Sequence, residues 1–271
     1  MFGTRLASGI VLVVLAVILV TSGGLPLLLA VGLISLVGQF EFYRAMGIDH
    51  KGISYIGYGA TGVYYLLVYF EGRAYMTAMI VGTLMVLMTA YVMTFPTYRT
   101  EEVTAGFFGM CYVSVMMSYL YLTRHYMDGR YLVWLIFLSA WGCDTLAYCT
   151  GKLFGRHHMA AKLSPKKTWE GAVGGVLGAA LLGFLFGSLF GAKMEEIGNP
   201  AVTCAFACGV GALISMIGDL AASAIKRNHN IKDFGRIIPG HGGILDRFDS
   251  MLFTAPAIYY AIKFMEEISR L

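Results

Sequence analysis

Charge is scarce in this sequence. Only 13% of its 271 residues are Asp, Glu, Lys or Arg, about half the share of a soluble domain. That excludes an ordinary water-exposed globular surface. It also excludes the basic arm or soluble module that would carry nucleic acid. Cysteine is scarce as well: Cys111, Cys143, Cys149, Cys204 and Cys208 form no CxxC pair and join no His cluster, so no zinc site is read from spacing. All five lie in or beside apolar stretches and are read as small packing residues. The chain has no GxxxxGK[ST] phosphate-binding loop, no long-period repeat and no low-complexity tail.

Apolar residues are what is present. They make up 58% of the chain, and the mean hydropathy is +0.69. At about 20 apolar residues per membrane-crossing helix, the sequence predicts about nine spans, near 6–21, 25–44, 53–70, 75–94, 103–122, 131–150, 170–190, 200–222 and 250–268. Gly23-Gly24 with Pro26, the stretch 47–52, Pro96, Asp128-Gly129 and 198–200 mark breaks between them. The run Leu6–Val20 after Arg5 shows no small-x-small cleavage site, so it is expected to be an uncleaved first span. The fold class is therefore all-α, polytopic and transmembrane. Residues 1–122 read as a transmembrane scaffold, and residues 123–271 as a transmembrane catalytic region.

Basic residues set the expected orientation. The N-terminus and the connections after spans 2, 4, 6 and 8 carry Arg5, Arg44, Lys51, Arg99, Lys152, Arg156, Lys162, Lys166, Lys167, Lys226, Arg227, Lys232, Arg236 and Arg247. The opposite side carries Arg73, Arg124, Arg130, Lys193, Lys263 and Arg270. The richer side is expected to face the cytoplasm. Glu41, at the end of span 2, is either a functional intramembrane group or a carboxylate snorkelling to water. The second is the preferred reading.

Polar chemistry concentrates in the second half. Residues 219–249 hold four Asp, two Lys, three Arg and two His between two apolar runs. Asp144 lies inside the apolar sixth span, where an unpaired carboxylate costs several kcal/mol (~2.5–3.5 on insertion scales). It either serves a cation or Lys, or takes a structural hydrogen bond from a neighbouring helix. In the next loop, Ser164-Pro165-Lys166-Lys167-Thr168 reads as an N-cap followed by a first helical turn. Two cations there oppose the helix macrodipole. They make sense either with a phosphate at the helix N-terminus or beside anionic lipid headgroups. Asp219, Ser223, Lys226 and Arg227 share one helical face, suggesting a metal ligand beneath a phosphate clamp. Pro239-Gly240-His241-Gly242-Gly243 lets backbone N–H groups approach an anion closely. His241 acts there as acid or base, as a phosphate donor, or as part of the turn. Asp246 and Asp249 share a face where the last span begins, and Arg247 is placed to grip a phosphate. Carboxylates without thiols suit Mg²⁺. Cations outside them suit a polyphosphate, the layout for metal-assisted phosphoryl or nucleotidyl transfer.

These residues resemble the signature of the phosphatidate cytidylyltransferase (CDP-diacylglycerol synthase) family. Ser223, Lys226-Arg227, Lys232-Asp233, Pro239-x-His241-Gly242-Gly243 and Asp246-Arg247-x-Asp249 stand without departure, and Asp144 with Ala147-Tyr148 and Ser164 to Gly171 also match. The resemblance covers about residues 130–255. It implies transfer of a cytidylyl group from CTP to phosphatidate, with Mg²⁺ and room for a second, monovalent cation. It implies a multi-pass enzyme of the bacterial plasma membrane, working among membrane lipids with its active site facing the cytoplasm, and a homodimer. The metal is expected on Asp219 and Asp246, with Asp144 and Asp249 beside them. Lys226 joins these acids as a catalytic group. Ser164, Lys166, Lys167, Thr168, Ser223, Arg227, Lys232, His241, Gly242, Gly243 and Arg247 are expected to bind substrate. A CTP-dependent lipid or polyprenol kinase and an ion-coupled transporter are the competing readings.

Overall fold

A computed structural model describes residues 2–160, 163–238, 240 and 242–270. Nine helices run through the described residues. They are α1 (Phe2–Ser22), α2 (Gly24–Ala45), α3 (Gly52–Tyr69), α4 (Arg73–Met93), α5 (Thr100–Arg124), α6 (Gly129–Phe154), α7 (Trp169–Phe190), α8 (Pro200–Asn228) and α9 (Leu245–Arg270). Each coincides with one expected span, with α8 longer and α9 starting earlier than apolarity alone predicts. Among the described residues, six helices are long and apolar enough to cross a membrane. α5 and α6 each contain a stretch of wider π geometry, at Met110–Val115 and Leu138–Gly142. The protein is an all-α polytopic membrane protein.

The chain divides into two compact units: the described residues of Met1–Ser118 with His229–Arg247, and those of Tyr119–Asn228 with Phe248–Leu271. Buried polar side chains link α2, α3 and α5 in the first. Gln39 Nε2 donates to the Tyr43 hydroxyl at 2.7 Å, which donates to Gly106 O at 2.5 Å. Thr61 donates to Gln39 Oε1 at 2.7 Å, and Ser35 and Tyr65 share a hydrogen bond of 2.7 Å. Gln39–Tyr43 lies within α2, and each of the interhelical bonds contributes about 0.6 kcal/mol in lipid. Together they register helices that have no hydrophobic drive to associate there.

In the second unit, α7 packs on α6 and α8 through small residues. A β-carbon on Gly174 would collide with Thr150 of α6, so glycine permits the close approach. Ahead of α7 runs a hairpin, β1 (His158–Ala160) antiparallel to β2 (Ser164–Thr168). This corrects the expected helix start at Ser164-Pro165. Pro165 is tolerated because a two-stranded hairpin consists of edges. The helix begins at Trp169, capped by Thr168, whose hydroxyl accepts from Gly171 N at 3.2 Å. The acidic Glu170 occupies the first turn, where the macrodipole favours it. Lys166 and Lys167 are strand residues. Glu170 also clips the hairpin: its carboxylate accepts from Arg156 N at 3.1 Å and His157 N at 3.2 Å, and pairs with His157 Nδ1 at 2.6 Å.

Candidate active site

Asp144 on α6, Asp219 on α8 and Lys167 on β2 come together in the second unit. The Lys167 ammonium forms an ion pair with Asp219 Oδ2. The Asp144 carboxylate feels the negative charge of Asp219 and the positive charge of Lys167. Asp144, Tyr148, Ser164, Lys166, Lys167 and Thr168 line a cleft of about 240 Å³. Ala147, Met159, Ala172 and Met216 form its apolar wall. Separate sequence segments thus bring the Asp144 carboxylate, two ammonium groups and hydroxyls against a greasy surface, and Asp219 joins them through its ion pair with Lys167. Among the described residues, no thiol or imidazole lines this cleft. Among the described residues, no three His, Cys, Asp or Glu side chains converge as a metal ligand set. The two carboxylates still fit Mg²⁺, which commonly takes one or two protein carboxylates together with waters and substrate phosphates.

Lys226 and Asp249, also in the second unit, approach at 3.8 Å. Asp249 Oδ1 accepts from Ser250 N at 2.8 Å. Ser223 sits half-buried one turn beyond Asp219 on α8, and Arg227 is exposed at the helix end.

The glycine loop belongs to the first unit. Asp246, 6% exposed, organises it: Oδ2 accepts from Phe234 N at 2.8 Å, Gly235 N at 3.4 Å and Gly243 N at 3.0 Å. Ile238 N bonds to Gly242 O at 2.9 Å across the turn, and Gly242 takes φ +86°, a conformation open to glycine. Arg44 Nη2 donates to Phe234 O at 2.9 Å. Lys232, Asp233, Arg236, Gly242 and Arg247 line an open cleft of about 640 Å³ over this loop. Pro239 and His241 lie outside the described residues, as does Lys162.

Sequence reasoning also misjudged a carboxylate. Glu41, expected to snorkel, is 0% exposed. Its Oε1 accepts from Ile244 N at 3.1 Å and its Oε2 from Leu245 N at 2.8 Å. The available signal was an acid at the end of an otherwise uncharged span. Nothing nearby in sequence indicated its partners, which lie some 200 positions on.

The sequence profile described as the cytidylyltransferase family matches residues 3–265. A phosphatidate cytidylyltransferase of Rickettsia felis is 39% identical over 154 residues, 56% of this chain and 67% of that protein. The Thermotoga maritima protein of the same name is 34% identical over 176 residues, 65% of this chain and 64% of its own length. The one from Haemophilus influenzae is 37% identical over 133 residues, 49% and 46% respectively. The aligned part thus spans about two thirds of the first of these relatives and less of the others. With the profile covering nearly its whole length, this chain belongs to the cytidylyltransferase family.

Proposed function

We propose that this membrane protein transfers the cytidylyl group of CTP to phosphatidate, giving CDP-diacylglycerol and pyrophosphate, with its site on the cytoplasmic face of a bacterial plasma membrane. The relatives' names supply the reaction. The observation on this chain that carries it is Lys167, ion-paired to Asp219, lining together with Asp144 a cleft with one apolar wall. The excess of Lys and Arg on the connections around this cleft supports the cytoplasmic orientation.

Asp144 and Asp219 are the residues that would hold Mg²⁺. Bound there, the ion supplies charge neutralisation and orientation of the nucleotide phosphates. Lys166 and Lys167 bring two ammonium groups to the same phosphates. Both substrates are anions, so neutralising their repulsion in a partly dry cleft is the largest contribution expected of the protein. The wall of Ala147, Met159, Ala172 and Met216 suits a substrate whose acyl chains stay in lipid. A phosphatidate oxygen attacks the α-phosphorus of CTP. The bond from that phosphorus to the oxygen bridging to the β-phosphorus breaks, and pyrophosphate leaves with the electron pair. The attacking phosphate monoester is ionised near neutral pH, so no side chain need remove a proton. Asp246 serves the glycine loop in this reading. Lys232, Arg236 and Arg247 make that loop an anion-binding element.

Purified protein in micelles, given CTP, phosphatidate and Mg²⁺, tests the reading. Mass spectrometry of the lipid extract should show CDP-diacylglycerol matched one-to-one by released pyrophosphate, and chelation of Mg²⁺ should stop both. Lipid unchanged by folded protein would contradict it.

A further inference from the structure

We infer that Glu41, in the second helix and far outside the signature, is a positioning residue for the glycine loop and for the first turn of α9. Five consecutive or near-consecutive backbone donors need partners here: Phe234, Gly235, Gly243, Ile244 and Leu245. Asp246 takes the first three and Glu41 the last two. The first N–H groups of any helix have no partner within it. A carboxylate placed there satisfies them and complements the positive end of the macrodipole. Local side chains usually perform this task. In α9 the carboxylate arrives from α2, 203 and 204 positions away in the sequence.

Steric fit makes the same point independently. A β-carbon on Gly235 or on Gly243 would run into the Glu41 carboxylate. Glycine at those two positions is therefore explained by Glu41 as well as by any anion. Arg44, on the same helix, fastens the loop at Phe234 O. α2 thus grips the loop at two points, and Asp246 and Arg247 take their places from that grip. A buried carboxylate without donors would be prohibitive at this position. The main-chain donors of the loop it shapes offset that burial.

The inference about turnover rests on the cytidylyl-transfer reading, whereas the inference about the loop does not. Glu41→Gln is isosteric, and it replaces one accepting oxygen by an N–H₂ that faces a donor. Hydrogen exchange needs no nucleotide. In the full-length protein it should show faster exchange over 232–247, with α7 and α8 unchanged. In the same preparation kcat/KM for CTP should fall about 10- to 100-fold, the range for groups that orient an active residue. Glu41→Asp, which keeps the charge on a shorter arm, should recover part of this loss. As a second route, Gly243→Ala should be damaging alone but add little in a Glu41→Ala background, because the three atoms nearest its methyl all belong to the Glu41 carboxylate. Unchanged loop exchange in Glu41→Gln, protection lost throughout the chain, a loosened loop with unaltered kinetics, no recovery with Asp, or additive effects of Gly243→Ala and Glu41→Ala would each overturn the assignment. Inactive unmodified protein would sink the reaction reading while leaving the loop result standing.

Discussion

Two regions of this molecule use carboxylates in opposite ways. In the second unit, Asp219 pairs with the Lys167 ammonium and Asp144 lines the open cleft that Lys167 also lines. In the loop of the first unit, Glu41 and Asp246 are buried and face backbone N–H groups. A carboxylate held by Lys can exchange that partner for a metal or move with a substrate. A carboxylate held by several main-chain donors is locked into the fold. Partner type, more than residue type, separates these two pairs of acids, and the proposed function gives chemistry to the first pair and the backbone to the second.

Substitutions can break that contrast. Asp219→Asn keeps the side chain's size, removes the ligand charge and leaves Lys167 without its counterion. Turnover should fall by on the order of 10³-fold or more, with hydrogen exchange of the loop unaffected. Retained activity, measured by lipid product, would end the assignment of chemistry to the cleft. Asp246→Asn should reduce turnover by about 10²-fold. Its signature differs, with faster exchange at Phe234, Gly235 and Gly243. A comparable loss with the loop still protected would move Asp246 from the holding group to the chemical one. The smallest effect is expected at the hairpin-to-helix junction. Thr168→Ala removes the N-cap of α7 and should cost about 1 kcal/mol, seen as a lowered melting temperature in detergent. No change would mean that the paired strands alone define where the helix starts.

Most of the architecture could be read from the chain. Nine apolar runs became nine helices among the described residues, six of them long and apolar enough to cross a bilayer, which leaves a spanning backbone few other options. The clustering of acids and cations in residues 144–249 was equally plain, because charge stands out in a chain this apolar. The hairpin was hidden: His158–Ala160 and Ser164–Thr168 carry no alternation of apolar residues, and Ser-Pro before a run of helix formers looks like a cap. Glu41 was hidden for another reason. Its meaning lies wholly in a tertiary contact with Ile244 and Leu245, and local pattern carries no trace of a partner so distant. The division of labour proposed between Asp219 and Asp246 was likewise illegible, since both are acids at helix ends and only their partners differ.

The most direct test of the account uses CTP labelled at either the α- or the γ-phosphorus, with phosphatidate and Mg²⁺, counting label in the lipid fraction. Cytidylyl transfer predicts lipid label from the α-position only, with the γ-label leaving as pyrophosphate. Lipid label from the γ-position only would contradict it, making the protein a CTP-dependent lipid kinase built on the same cleft.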